Sequence, residues 1–299
     1  MSRIHDALKK AELEKAAGSV PDTGGQTPES SGSRAMAPSL ARPAPGGGEG
    51  RITFEALQER CSRPAWSPKP EAVLFAAAQN QALGTEDFRT LRSRLYLARQ
   101  KQPLQTLLVT STMPGEGKTF VAANLAQVFV RQRERRALLI DADLRWSRLH
   151  LLLGAPPAPG LSEYLQGLAD EFSILQQAPQ GNLFFIPGGQ VAAQPAELIA
   201  NGRLKGLLQR LAPAFDWVVI DSPPAIPVSD ASLLAEFCDG TLMVVQAGST
   251  PFDLAKKVCE EFRSKRLLGV VLNRVAPTAH YGYYYRDYGK GSSKGKQRS

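Results

Sequence analysis

Residues 106–129 read TLLVTSTMPGEGKTFVAANLAQVF, and this stretch decides the fold. Apolar Leu107–Val109 leads into a turn and then into the run GEGKT at 115–119, after which a helical pattern begins. Glycines let the backbone curl so that its N–H groups point inward at phosphate oxygens, and the N-terminus of the following helix adds partial positive charge. The stretch therefore predicts a phosphate-binding loop between a buried strand and a helix.

The residue types within this loop suit a nucleotide and its metal. Lys118 is expected to reach the terminal phosphates, and the Thr119 hydroxyl is expected to bind Mg²⁺. The usual pattern begins with Gly where this chain has Thr112, so the loop gains its specificity from the flanking strand and helix. An exposed lysine in a glycine-rich turn is the structural alternative. The predicted nucleotide-binding residues are Pro114, Gly115, Glu116, Gly117, Lys118, Thr119 and Phe120.

Two further apolar runs end in aspartates. Residues 137–145 read ALLIDADLR, with Asp141 and Asp143, and residues 217–224 read WVVIDSPP, with Asp221. The carboxyl ends of parallel strands share one edge, where ligands collect, so these three carboxylates are expected near the bound phosphates. Asp141 is the candidate general base, and Asp143 and Asp221 are the candidate Mg²⁺ ligands. The sequence does not decide between these roles, and a strand-end cap is the alternative for each aspartate singly.

Apolar runs alternate with helical patterns over residues 76–275, which predicts a three-layer α/β P-loop domain with a mostly parallel central sheet. The predicted strands are Leu104–Thr110, Ala137–Asp141, Leu183–Pro187, Trp217–Asp221, Gly240–Gln246 and Leu267–Leu272, and the predicted helices include Lys118–Arg133, Arg203–Leu211 and Pro251–Arg263.

The flanking segments have a different composition. Residues 1–17 are predicted to form a short N-terminal helix. Residues 18–75 are predicted to be a mostly disordered linker, because residues 18–50 are rich in Gly, Pro and Ser. One possible helix falls within 51–75. Residues 276–299 predict a flexible tail that holds five of the seven tyrosines of the chain.

The overall composition narrows the function classes. Three cysteines without paired spacing fit a reducing cytosol and argue against a zinc site. The net charge of +8 is spread in small clusters, which argues against a nucleic-acid partner and leaves attraction to an anionic membrane surface open. No apolar run approaches the ~18 residues that span a bilayer, so a cytoplasmic location is expected.

These motifs together resemble the bacterial tyrosine autokinases of exopolysaccharide synthesis, the BY-kinases. That family writes its loop S/T-x-x-P-G-E-G-K-S/T, so Thr112 follows the family pattern. Its other motifs are D-x-D-x-R, D-x-P-P, E-x-x-R-x-x-R and a terminal tyrosine cluster. D-x-D-x-R matches Asp141, Asp143 and Arg145, and D-x-P-P matches Asp221, Pro223 and Pro224. E-x-x-R-x-x-R matches Glu86, Arg89 and Arg92. The terminal cluster matches Tyr281, Tyr283, Tyr284, Tyr285 and Tyr288.

The resemblance implies an ATP- and Mg²⁺-dependent protein-tyrosine kinase that phosphorylates its own tyrosine cluster and regulates exopolysaccharide polymerisation or export. It implies ring-shaped homo-oligomers that use the Glu86, Arg89 and Arg92 motif. In related P-loop ATPases an Asn at the position of Asn273 contacts adenine. Many relatives are fused to a membrane-spanning segment. For this chain the resemblance implies a separate activator of the chain-length-determinant type, which would hold it at the inner membrane, and a cognate tyrosine phosphatase.

Two other functions remain open. A partitioning or positioning ATPase shares the fold and the loop, but such proteins commonly place a second lysine where this chain has Met113, and they lack the tyrosine tail. A non-catalytic scaffold would use ATP only for assembly, and the intact Lys118 and Asp221 argue against it.

Overall fold

The computed structural model describes residues 51–70, 73–74 and 84–276, and a seven-stranded sheet forms the centre of this part. Its spatial order is β3-β4-β2-β5-β1-β6-β7, and every neighbouring pair is parallel except β3 and β4. The strands are β1 Thr106–Ser111, β2 Ala137–Asp141, β3 Gln176–Gln177, β4 Leu183–Ile186, β5 Trp217–Asp221, β6 Gly240–Gln246 and β7 Leu267–Asn273.

Helices connect these strands and cover the sheet. They are α1 Phe54–Arg60, α2 Thr85–Lys101, α3 Lys118–Val130, α4 Leu149–Leu153, α5 Leu161–Gln166, α6 Pro195–Ala200, α7 Arg203–Leu211, α8 Asp230–Ala235 and α9 Phe252–Arg263. A 3₁₀ turn, Ala212–Ala214, precedes β5.

Two apolar cores form because the central strands are buried on both faces. Leu108, Ile140 and Ile220 point to one core, and their neighbours Val109 and Val219 point to the other. Alternate side chains of a strand project to opposite faces, so each strand contributes to both cores. This arrangement confirms the predicted three-layer α/β architecture.

The predicted strands all occur in the structure, with differences at their ends. The first begins at Thr106 instead of Leu104, and α3 ends at Val130 instead of Arg133. Beyond α3 the chain turns at Glu134, which has φ 63°. The sequence analysis missed β3 because its two residues, Gln176 and Gln177, carry no apolar signal. This strand is antiparallel to β4 and forms one edge of the sheet, where only two residues are paired with β4.

The predicted disordered linker extends too far, because residues 51–70 pack on the domain. Thr53 caps α1 by accepting a hydrogen bond from Ala56, and Leu57 is fully buried in one core. Phe54 makes an edge contact with Phe184, with ring centroids 5.6 Å apart. A domain boundary at residue 76 therefore lies too far along the chain. Prolines and charged residues interrupt the apolar residues of this segment, so its sequence shows no clear pattern of buried positions.

Residues 1–50 and 277–299 lie outside the described part, and so do the predicted N-terminal helix, most of the predicted linker and the tyrosine cluster. Within the described part, no helix is both long enough and apolar enough to cross a bilayer.

Candidate functional site

The phosphate-binding loop joins β1 to the N-terminus of α3. Gly115 and Gly117 have φ values of 85° and 96°, which residues with a side chain rarely adopt. A Cβ atom on Gly117 would also lie 2.1 Å from Asn273 Nδ2. The Asn273 amide donates to the Glu116 carbonyl at 2.8 Å, so the end of β7 supports the loop backbone. The positive φ therefore favours glycine at position 117, and a Cβ atom there would also displace the Asn273 amide.

The side chain of Glu116 is buried and supports the loop from within. Its Oε2 accepts from the Met113 N–H at 2.8 Å, and its Oε1 accepts from the Thr250 hydroxyl. Glu116 therefore ties the loop to the segment after β6 and leaves only its backbone for a phosphate. The neighbouring Pro114 is exposed, and Phe120 in the first turn of α3 packs against Phe88 with ring centroids 5.9 Å apart.

Lys118 lies among the three predicted carboxylates. Its Nζ is 3.2 Å from Asp143 Oδ2, and both side chains are nearly buried. Burial lowers the pKa of Lys118, but the charges of Asp221, Asp143 and Asp141 outweigh this and leave the pKa raised above its ordinary value. The lysine therefore stays protonated and can offset phosphate charge.

Asp221 ends β5 beside the loop and is almost fully buried. Burial, opposed by Lys118 and reinforced by the charge of Asp141, raises the pKa of its carboxyl to about 8. A hydrogen bond joins it to Thr119. Its Oδ1 has no hydrogen-bond partner within the described part of the chain. A buried oxygen without a partner is costly unless a ligand uses it, so this atom is free for a cation.

Asp141 is more completely engaged. Its Oδ1 accepts from the Asp143 N–H at 3.1 Å, and its Oδ2 accepts from Ser147 Oγ at 2.8 Å and from the Leu149 N–H at 3.1 Å. Burial raises its pKa to about 6, and these hydrogen bonds oppose that rise. A carboxylate offers about four lone-pair sites, so one on Oδ1 remains for a proton.

Two contacts that the sequence analysis missed fix the loop after β2. Arg145 makes a bidentate pair with the buried Asp230 at the start of α8. Ser147 packs against Gly188, where an added Cβ would come within 2.7 Å of the serine. Asp230 and Gly188 lie 85 and 41 residues beyond Arg145 and Ser147, so no local spacing could have indicated them.

The predicted oligomer-contact residues lie on α2. Arg89 is paired with Glu86, and Arg92 donates to the Val128 carbonyl at 2.9 Å. Arg92 thus supports the end of α3 within its own chain.

The residues that the structure brings together fit Mg²⁺. Thr119, Asp143 and Asp221 provide hydroxyl and carboxylate oxygens beside the loop. Asp221 Oδ1 has no hydrogen-bond partner in the described part of the chain and could bind a cation. Within residues 51–70, 73–74 and 84–276, no three His, Cys, Asp or Glu side chains converge as a metal site. Mg²⁺ commonly takes only one or two carboxylates and completes its shell with substrate phosphates and water, so the two observations agree.

Comparisons with known proteins agree with the geometry. A family model described as the CobQ/CobB/MinD/ParA nucleotide binding domain matches residues 107–291. The chain is 32% identical over 215 residues to the tyrosine-protein kinase YwqD of Bacillus subtilis, covering 71% of this chain and 90% of that protein.

Two further relatives place the similarity in a kinase domain. The chain is 34% identical over 224 residues to the tyrosine-protein kinase wzc of Salmonella typhimurium, covering 73% of this chain but only 31% of that protein. The structure resembles the kinase domain of the Escherichia coli tyrosine kinase ETK, with 30% identity, a TM-score of 0.64, and coverage of 78% and 93% of the two chains. The chain therefore belongs to the CobQ/CobB/MinD/ParA nucleotide-binding family and, within it, to the bacterial tyrosine-protein kinases.

Proposed function

We propose that this protein is an ATP-dependent protein-tyrosine kinase that phosphorylates its own C-terminal cluster, Tyr281, Tyr283, Tyr284, Tyr285 and Tyr288. The observation that carries the proposal is the convergence of Lys118, Asp143 and the free Oδ1 of Asp221 at one phosphate-binding loop. The kinase relatives and Met113, in place of a second loop lysine, favour this function over a positioning ATPase.

The residues would divide the chemistry as follows. A tyrosine oxygen attacks the γ-phosphorus of ATP, the bond from that phosphorus to the β-phosphate oxygen breaks, and ADP leaves. Asp141, whose pKa of about 6 lies near neutral pH, accepts the phenol proton. Lys118 and the loop N–H groups stabilise the charge on the phosphoryl oxygens. Thr119, Asp143 and Asp221 would hold Mg²⁺, which would further neutralise the phosphate charge.

The wider role is proposed from the family resemblance. The kinase would regulate exopolysaccharide polymerisation or export together with a membrane activator of the chain-length-determinant type, and a cognate phosphatase would reverse its action. Glu86 and Arg89, which lie on the surface of α2, would contribute to a ring of copies. The activator would hold the protein at the inner face of the membrane.

Phosphate mapping tests the central proposal. Purified protein is incubated with ATP and Mg²⁺, with and without a candidate activator, and modified residues are located by mass spectrometry beside Lys118→Met. Phosphate on residues 281–288 in the unmodified protein alone is the expected result. Steady ATP hydrolysis without phosphotyrosine would instead indicate a positioning ATPase, and absence of any turnover would indicate a scaffold.

A further inference from the structure

Three loops at the candidate site each carry one exposed apolar side chain. Met113, Trp146 and Ile226 are 40%, 69% and 46% exposed, and we call them the apolar rim. They lie on the loops that follow β1, β2 and β5, three strands that are adjacent in the sheet. Each of these loops thus presents one exposed apolar side chain beside one group of the site.

Hydrogen bonds fix the rim relative to the site. The Trp146 N–H donates to Asp143 Oδ1 at 3.0 Å, and the Ile226 N–H donates to the Thr112 carbonyl, next to Met113, at 3.3 Å. The pair of Arg145 and Asp230 joins the loops after β2 and β5. The backbone at Trp146 and Ile226 is therefore held beside the site.

The chemistry of the rim suits an aromatic polypeptide. Large apolar side chains grouped on a surface favour a partner that removes them from water. An indole ring also pairs favourably with phenol rings in stacked or edge geometry. The Arg148 guanidinium lies 5.2 Å from the Trp146 ring centroid and adds a cation beside this platform.

One segment of this chain has the required chemistry and reach. Residues 281–288 read YGYYYRDY. The last residue of β7, Asn273, donates to the loop at Glu116, so the chain leaves the sheet beside the site. Tyr281 lies eight residues beyond Asn273, and eight residues span at most roughly 27 Å when extended.

We infer that Met113, Trp146 and Ile226 form the subsite that binds the acceptor segment 281–288 and presents one of its tyrosines to the phosphoryl group. The inference rests on the proposed kinase function and names how its acceptor is recognised.

The test separates acceptor binding from chemistry. The full chain carrying Ala at all five cluster tyrosines is used as the kinase, so that its own tail offers no aromatic ring from the cluster to the rim. A peptide of residues 278–291 is used as the acceptor. Trp146→Ala and Ile226→Ala are each expected to raise the KM for the peptide about ten-fold, with kcat and ATP affinity little changed. Trp146→Phe is expected to restore most of the lost affinity.

Leu97→Ala is the matched control. Leu97 is 58% exposed on α2, and Arg99, two residues further on, donates to the Asp216 carbonyl just before β5. Leu97 therefore lies at the opposite edge of the sheet, and its loss should leave the KM unchanged.

Peptide binding is also measured directly, by anisotropy of labelled peptide with a non-hydrolysable ATP analogue. Binding that depends on Trp146 without phosphorylation would support the subsite and refute the proposed kinase. Phosphorylation with an unaltered KM in both rim variants would refute the subsite and keep the kinase. Absence of rim-dependent binding, or a changed oligomeric state of Trp146→Ala with unchanged KM, would overturn the inference.

Discussion

Arg145 and Asp230 form a bidentate ion pair, with Nε–Oδ2 at 2.8 Å and Nη2–Oδ1 at 3.0 Å. The pair joins the loop that carries Asp143 to the N-terminus of α8, 85 residues further along the chain. The two partners are unequally placed, because the aspartate side chain is fully buried whereas the arginine side chain is 37% exposed. This inequality makes the two single substitutions distinguishable.

Removing the arginine should cost more stability than neutralising the aspartate. Arg145→Ala leaves a buried carboxylate without its partner and is expected to cost about 2–3 kcal/mol, discounted from a fully buried pair because the arginine is partly exposed. Asp230→Asn leaves an arginine that water can reach and should cost less, about 1 kcal/mol. Urea unfolding of both variants and of the double variant measures this, and equal costs would contradict the asymmetry.

The same pair should position Asp143 without touching substrate. Arg145→Lys keeps the charge but loses the two-pronged geometry, so it is expected to lower kcat about ten-fold while changing the KM for ATP little. Steady-state kinetics decide the point. A large rise in the KM for ATP would instead place Arg145 at the nucleotide.

Gly117→Ala should destabilise the protein for two separate reasons, the positive φ at that position and the close approach of Asn273. The positive φ costs roughly 1–3 kcal/mol with a side chain, and the new Cβ would displace the Asn273 amide from its hydrogen bond, costing about 1 kcal/mol more. In an Asn273→Ala background only the first cost remains. Thermal unfolding of the four variants gives the coupling free energy, and a value near zero would show that the close approach is unimportant.

Asp221→Asn should abolish phosphotransfer and yet stabilise the protein without metal or nucleotide. The folded-state pKa of about 8 lies above the ordinary 3.8, so the native state binds more protons between these values, and its stability falls as pH rises through that window. Asparagine does not titrate. The variant should therefore match the unmodified protein near pH 4 and exceed it by about 1–3 kcal/mol above pH 8.

Denaturant unfolding with a chelator, from pH 4 to pH 9, checks this sign. A difference between the two proteins that does not depend on pH would contradict the raised pKa. Lys118→Met is unsuitable as a control here, because it removes the charge that opposes the rise.

Leu57→Ala tests whether α1 belongs to the domain. The side chain is fully buried in the core, so truncation is expected to destabilise the protein by about 2–5 kcal/mol. Glu59→Ala, on the exposed face of the same helix, should change stability by less than about 0.5 kcal/mol. Similar effects from the two substitutions would show that residues 51–70 do not contribute to the folded core.

The sequence by itself determined the parallel core of the sheet and predicted which side chains meet at the phosphate-binding loop. Runs such as Ala137–Asp141 and Trp217–Asp221 are apolar throughout and end in a carboxylate, and their bounds agree with the structure. Their signal is local: burial on both faces demands continuous apolar residues, and parallel strands bring their carboxyl ends to one edge. The signal of the loop that carries Lys118 is also local, because a few consecutive residues define it.

Only the tertiary structure decided how these groups are held. Arg145 with Asp230, Asn273 with Glu116, and the burial of Leu57 all join segments that are far apart in the chain. Such contacts depend on side-chain packing between elements, which no spacing rule encodes. Burial likewise decided that the pKa of Asp221 is raised, since its desolvation comes from the surrounding layers and not from its neighbours in sequence.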